Sequence, residues 1–229
     1  METKTNLTRR QFFGTSLKTL AGVGLASSFM GKALSETCEL TPPQTEGPFY
    51  PVRDQADKDN DLTWVKGQRQ RAKGQIIHVM GTVRDDSCEP LQGALVEIWQ
   101  ACESGKYNHP GDPNTAPLDP NFQYWGRAVS DEKGQYHFIT ILPGNYPAAP
   151  GWIRPSHIHF KIQRRGFHEL TTQMYFQGNP YNAGDRILMA LPPQEQEKVI
   201  ILFQKSPNVF EFEQGSQVGT FDIGLRLVR

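Results

Sequence analysis

The stretch Trp152-Ile153-Arg154-Pro155-Ser156-His157-Ile158-His159-Phe160-Lys161-Ile162 decides how the rest of the chain is read. From His157 onward, polar and apolar side chains alternate, which is the period of a strand. On a strand, side chains two positions apart project to the same face. His157 and His159 therefore stand side by side. Only six histidines occur in the chain, and two of them fall in this run.

Moving outward, strand after strand follows the same grammar. Ile76-Ile77-His78-Val79-Met80-Gly81-Thr82-Val83 is rich in β-formers and is followed by the turn Arg84-Asp85-Asp86-Ser87-Cys88-Glu89-Pro90. Ala94 to Ala101 alternates. Tyr136 to Leu142 follows the turn Asp131-Glu132-Lys133-Gly134. Leu170 to Phe176, Val199 to Gln204, Val209 to Phe212 and Gly219 to Leu227 complete the set. Seventeen prolines and 21 glycines in 229 residues favour strands and turns over a helical bundle. Two helical pieces are expected, one near the N-terminus and one starting at Pro192-Pro193-Gln194-Glu195. The expected fold is mostly β: an antiparallel β-sandwich with long active-site loops and little helix. Two connections exceed what a simple link needs, Glu103 to Tyr124 and Pro143 to Pro155, and loops of that length usually carry function.

Three regions are expected. Residues 1–35 read as an export signal. Thr8-Arg9-Arg10-Gln11-Phe12-Phe13 precedes an apolar run from Leu20 to Phe29 and the small-residue site Ala33-Leu34-Ser35. The paired arginines resemble a twin-arginine signal, which places the mature protein outside the cytoplasm, in the periplasm, with no stable membrane span after processing. The apolar core is shorter than the ~20 residues of a spanning helix. Residues 36–75 read as an extended arm, and residues 76–229 as the catalytic sandwich. Asp54 to Asp61 lacks the glycine and closing glutamate of an EF-hand and reads as a solvated loop. The three cysteines, Cys38, Cys88 and Cys102, allow one disulfide and leave one thiol over. No CxxC supports a zinc ribbon. A net charge of zero gives no electrostatic case for nucleic acid.

Two imidazoles on one face are half of a metal site, but alone they do not choose the metal. Each long loop adds a tyrosine in a glycine-proline frame: Gly105-Lys106-Tyr107-Asn108-His109-Pro110 and Pro143-Gly144-Asn145-Tyr146-Pro147. A phenolate is a hard anionic donor. Two phenolates with two imidazoles suit ferric iron and leave a coordination position open.

Several blocks, in order, resemble the intradiol ring-cleaving dioxygenases: Gly93 to Ala101, Gly105-Lys106-Tyr107, Ala116 to Phe122, Gly126-Arg127, Pro143 to Pro147, Trp152 to Phe160, and Thr171 to Phe176. The similarity extends over roughly residues 41 to 227. It implies a mononuclear non-haem Fe(III) held by Tyr107, Tyr146, His157 and His159, with hydroxide at a fifth place. It also implies a catecholic substrate and O2 as partners, and leaves room for a homo-oligomer. Hydroxide would take one catechol proton and Tyr146 the other. Oxygen would then enter between the two hydroxyl-bearing carbons, to give a cis,cis-muconate-type diacid. Arg154 would supply a fixed positive charge beside the ring, with Gln173 holding it. Gly47, Pro48, Phe49 and Ile187 match wall positions of the substrate pocket. Two departures bear on the substrate. Protocatechuate-type members carry a tyrosine where Phe49 stands, and the family carries a tryptophan where Ala148 stands, which implies a roomier pocket. A binding-only sandwich, or a cupin-type Fe(II) or copper oxygenase, are the competing readings. The first gives no reason for the two tyrosines and two histidines, and the second asks for carboxylates or further histidines.

Overall fold

A computed structural model describes residues 38–55, 57–207 and 212–228. The expected export signal and most of the expected strand Val209–Phe212 lie outside the described residues. Among those residues, no helix is long and apolar enough to cross a membrane.

Two five-stranded sheets carry the fold. The first is organised around β1 (Ile76–Asp85). Between β1 and its later partners come β2 (Leu95–Trp99), β3 (Trp125–Val129), β4 (Gln135–Ile141), the short β5 (Tyr146–Ala149) and β6 (Trp152–Arg154), β7 (His157–Gln163) and β8 (Leu170–Phe176). The helix α1 (Pro193–Val199) leads to β9 (Ile200–Ile201), β10 (Gln204–Lys205), β11 (Gln217–Thr220) and β12 (Ile223–Leu225). In the first sheet, β4 pairs antiparallel with β1. The other edge of β1 is shared in series by β11 and β12, both parallel to it. The second sheet runs β3-β2-β7-β8-β9.

The expectation of antiparallel pairing holds through β2, β3, β4, β7 and β8 and at β10–β11, but not at three other pairs. β1–β11, β1–β12 and β8–β9 are parallel. A parallel pair needs a crossover rather than a hairpin. The helix foreseen at Pro192 supplies one, between β8 and β9. The expected strand Val199–Gln204 is correspondingly broken. Val199 ends α1, and the two residue pairs that follow join different sheets.

Alternation dictates the core. Ile158, Phe160 and Ile162 of β7, Val96 and Ile98 of β2, and Met174 of β8 all face inward and are fully buried. They meet Ile77, Val79 and Val83 of β1, Phe138 of β4, and Phe221 and Ile223 near the C-terminus. Phe160 lies 5.0 Å from Phe221, ring centre to ring centre, so the two sheets touch face to face there. Each such side chain contributes about 1.5–3 kcal/mol when fully buried. The opposite face of the second sheet is left to carry polar and aromatic chemistry.

The arm crosses that second sheet. Gln44 donates its backbone N–H to Thr171 O at 2.8 Å, and its amide nitrogen to Gln173 O at 2.9 Å. A disulfide joins Cys38 of the arm to Cys88 in the turn after β1, and Cys102 remains a free, buried thiol.

Candidate active site

The strand register assembles the site. Trp99, His159 and Gln173 are direct partners across β2, β7 and β8, and His157 faces Tyr175 on β8. Direct antiparallel partners share a face with Cβ atoms about 5 Å apart. One face of the second sheet therefore presents Trp99, His159, Gln173, His157 and Tyr175 together. The Trp99 ring stacks on His159 at 4.8 Å with a 10° interplanar angle.

The two tyrosines arrive on the two long loops. The first loop stays irregular. The second contains the β5–β6 hairpin, which was expected to be loop throughout. Pro143 and Pro147 masked its short alternation. In that hairpin Tyr146 and Arg154 are direct partners. The loops meet at glycine. A Cβ on Gly144 would lie 2.5 Å from Gly105 N, and one on Gly105, at φ +79°, would lie 2.5 Å from Asn145 O. Only glycine tolerates both the close approach and the left-handed backbone. This contact brings the Tyr107 and Tyr146 rings to 5.5 Å, nearly perpendicular. Asp112 accepts the Tyr107 backbone N–H at 2.7 Å and fixes the turn. Asn145 Oδ1 accepts the Ser156 N–H at 2.7 Å, tying the second loop to the start of β7.

Tyr107 Oη lies 3.2 Å from His157 Nε2. His157 Nδ1 donates to Pro155 O at 2.7 Å, which turns the Nε2 lone pair toward the tyrosine. The His157 and His159 rings are 4.9 Å apart. Burial, and then the charge of Arg154, hold both imidazoles well below the usual histidine range, so both are neutral at neutral pH with lone pairs available. Burial pushes both tyrosine phenols up, and Arg154 works against that rise at each. Ionising two buried phenols side by side requires a cation between them. His159 Nδ1 is buried with no hydrogen-bond partner. Neutral imidazoles, hard oxygen donors that need a positive charge and an unpartnered ring nitrogen fit a hard, highly charged metal ion. Among the described residues, no cluster of three or more His, Cys, Asp and Glu offers another such centre.

The other expected residues converge here too. Arg154 is 3% exposed and donates from Nη2 to Gln173 Oε1 at 2.7 Å. Gln173 in turn donates to Thr45 O of the arm at 2.8 Å. Gly47 approaches the His159 ring, and Phe49 lies 4.8 Å from Tyr107 and 6.4 Å from Tyr146, with Pro48 between them in the chain. A cavity of 430 Å³ opens beside Phe49 and Tyr107, lined also by Arg53, Lys106 and His109. Ile187 is half-buried in the turn after Asp185, joined to Arg154 through that aspartate. Four neighbours escaped the reading of the sequence: Trp99, Tyr175, Asp185 and Gln44. Trp99 and Tyr175 follow from register. Asp185 and Gln44 sit in irregular segments, where no period points to a site.

A dioxygenase family profile matches residues 45–226. The protocatechuate 3,4-dioxygenase beta chain of Burkholderia cepacia is 40% identical over 183 residues, which cover 78% of this chain and 76% of that one. A chlorocatechol 1,2-dioxygenase of Pseudomonas putida is 34% identical over 117 residues, 45% of this chain and 43% of its own length. Among solved structures, the dioxygenase domain of a dioxygenase–carbohydrate-binding fusion from Streptomyces sp. SirexAA-E superposes with a TM-score of 0.60 at 29% identity. That match covers 83% of this chain and all of that domain. The chain belongs to the intradiol ring-cleavage dioxygenase family.

Proposed function

We propose that the protein cleaves the aromatic ring of a catechol-type substrate between its two hydroxyl-bearing carbons, using a single non-haem Fe(III) and O2, to give a cis,cis-muconate-type diacid. The observation that carries this reading is the packing of Tyr107, Tyr146, His157 and His159 against one another, with Tyr107 Oη 3.2 Å from a neutral His157 Nε2. These four side chains would hold the ion. Bound ferric iron supplies the Lewis acidity that draws both catechol oxygens into their anionic form and makes the ring reactive toward O2.

The chain's own residues do the rest. Tyr146 Oη accepts a proton from one catechol hydroxyl. Its place opposite Arg154 in the hairpin keeps a positive charge beside that transfer. Arg154 presents a buried, permanent charge to the negative charge that builds on the ring, a preorganised interaction of a kind that contributes about 3 kcal/mol per donor in a dry site. Gln173 holds the guanidinium. Phe49 walls the ring on the Tyr107 side, with Gly47 and Pro48 shaping the approach, and Ile187 lies on the Arg154 side. The absence of a hydroxyl at Phe49 and the alanine at 148 favour a catechol without a charged ring substituent. The Cys38–Cys88 disulfide fits an exported protein working in an oxidising compartment, in keeping with the twin-arginine-type leader.

The test is a visible absorption spectrum of the iron-loaded mature protein, before and after anaerobic catechol. A broad tyrosinate-to-Fe(III) band that shifts on adding catechol is expected. A protein that stays colourless after iron loading refutes the reading. Tyr146→Phe is expected to lose activity, and His159→Ala to lose both activity and most of its iron. Full iron and full turnover in His159→Ala would remove the ligand assignment.

A further inference from the structure

Asp185 is completely buried, and none of the steps above uses it. Its carboxylate faces two ways. Oδ2 accepts from Arg154 Nε at 2.8 Å, with Oδ1 3.4 Å from Arg154 Nη2. Oδ1 also accepts the backbone N–H groups of Ile187 at 3.1 Å and Leu188 at 2.8 Å. The Asp185 carbonyl accepts the Met189 N–H at 2.9 Å, which closes the turn. One carboxylate thus grips the guanidinium on one side and the segment bearing Ile187 on the other.

The guanidinium is tied down further at Nη2. Arg154 Nη2 donates to Gln173 Oε1 at 2.7 Å and reaches Tyr175 Oη at 3.3 Å. Tyr175 Oη donates to Gln44 Oε1 at 2.9 Å. A planar guanidinium held through both Nε and Nη2 has little freedom to rotate or withdraw. A buried arginine without a counter-charge is unfavourable, and Asp185 is the carboxylate that compensates it.

We propose that Asp185 is a positioning residue for ring cleavage: it fixes Arg154 beside the substrate ring and, through the same carboxylate, fixes the turn that places Ile187. Charge and shape at the ring are then set by one group. The inference rests on the ring-cleavage reading above.

Two substitutions separate the two grips. In Asp185→Asn the side-chain oxygen still accepts the Ile187 and Leu188 N–H groups, but an amide N–H now faces the Arg154 donors. In Asp185→Ala both grips are gone. For Asp185→Asn, kcat with catechol falls about tenfold or more while KM changes less than about threefold. Its iron content, tyrosinate band and relative kcat/KM for 4-substituted catechols stay those of the wild type. Asp185→Ala loses kcat and also flattens that ring-substituent preference. Anaerobic catechol titrations, read from the band shift, give the same ordering of substituted catechols without turnover.

The substitution leaves a buried positive charge unpaired, so the decisive control removes both charges. If Asp185 acts through Arg154, Arg154→Gln and the double variant Arg154→Gln/Asp185→Asn share one kcat within about twofold. Wild-type kcat in Asp185→Asn overturns the proposal. So does a double variant slower than Arg154→Gln by about fivefold or more, or an unchanged substituent preference in Asp185→Ala. A wild-type protein that cleaves no catechol sinks the ring-cleavage reading and this inference together. An active wild type with a silent Asp185→Asn sinks the inference alone.

Discussion

Gly47 leaves almost no room beside His159: a Cβ there would lie 3.3 Å from the imidazole Cε1, on a backbone at φ +72°. Gly47→Ala therefore forces a left-handed alanine, at about 1–2 kcal/mol, and pushes on a ring already sandwiched against Trp99. A lower melting temperature is expected, with iron affinity reduced about tenfold, the scale seen when a ligand loses its orientation. Thermal melts and iron-to-protein ratios check both, and wild-type values in both would show that the arm yields freely at this point. Two residues on, Phe49 lies tilted against Tyr107 and edge-on to Tyr146, without a polar handle. Phe49→Tyr adds a hydroxyl on the substrate side and should raise kcat/KM for protocatechuate relative to catechol by about tenfold, the worth of one hydrogen bond to a charged acceptor. An unchanged ratio of the two rates would remove Phe49 from substrate selection. The candidate ligands were legible because their chemistry is rare: two histidines one residue apart and two tyrosines framed by glycine and proline. Gly47 and Phe49 were legible through the family resemblance alone. Asp185 was not. An aspartate in an irregular turn is ordinary until the arginine it meets 31 positions away is known.

At the level of elements, alternation told which residues share a face but not which strands are neighbours. His157 and His159 were placed together by period alone. That Trp99 stacks on His159, and that Gln173 flanks it, required the β2–β7–β8 register. The β5–β6 hairpin was hidden by its prolines. The expected strand Gly219–Leu227 falls on β11 and β12, but their parallel pairing was hidden by the long route the chain takes to return to β1. The opposite sheet holds a second consequence of register. His78 of β1 and His137 of β4 approach to 2.9 Å between Nδ1 and Nε2, with the rings stacked. Burial lowers the pKa of each. His137 and Arg71 add to the effect at His78, Glu213 and Asp61 oppose it there, and Asp61 opposes it at His137. Because the folded pKa values lie below the unfolded value of about 6.5, the unfolded chain binds more protons in the window between them. The stability tied to these neutral rings is thus complete above about pH 6.5 and drains away as the pH falls through the folded values. His78→Gln is expected to lose less stability than the wild type between pH 7.5 and pH 5.5 in chemical denaturation. Equal losses would show that the pair does not contribute to the acid sensitivity.

For the molecule as a whole, the long arm is what unites core and site. From the Cys38–Cys88 bridge it meets Gly224 of β12 through Thr41, crosses β8 by way of Pro42 and Gln44, and reaches the Gly47-Pro48-Phe49 wall. Lys161 of β7 pairs with Glu46 on the way. The sequence left the disulfide undecided because three cysteines allow three pairings. The fold decides it by bringing the start of the arm to the turn after β1 and burying Cys102 elsewhere. The bridge closes a loop of 50 residues, for which loop entropy alone contributes about 4 kcal/mol. Cys38→Ser should therefore lower the unfolding free energy by about 2–4 kcal/mol, as measured by urea denaturation, and reductant should do the same to the wild type but not to the variant. The four proposed iron ligands lie outside the arm, so below the melting transition the variant keeps its iron and its tyrosinate band. Loss of hold on Phe49 appears instead as a higher KM for catechol. A variant with unchanged stability would mean that the Gln44 and Thr172 hydrogen bonds already hold the arm in place. A variant that loses iron along with stability would mean that the arm supports the ligands as well as the substrate wall, through the Gly47–His159 contact.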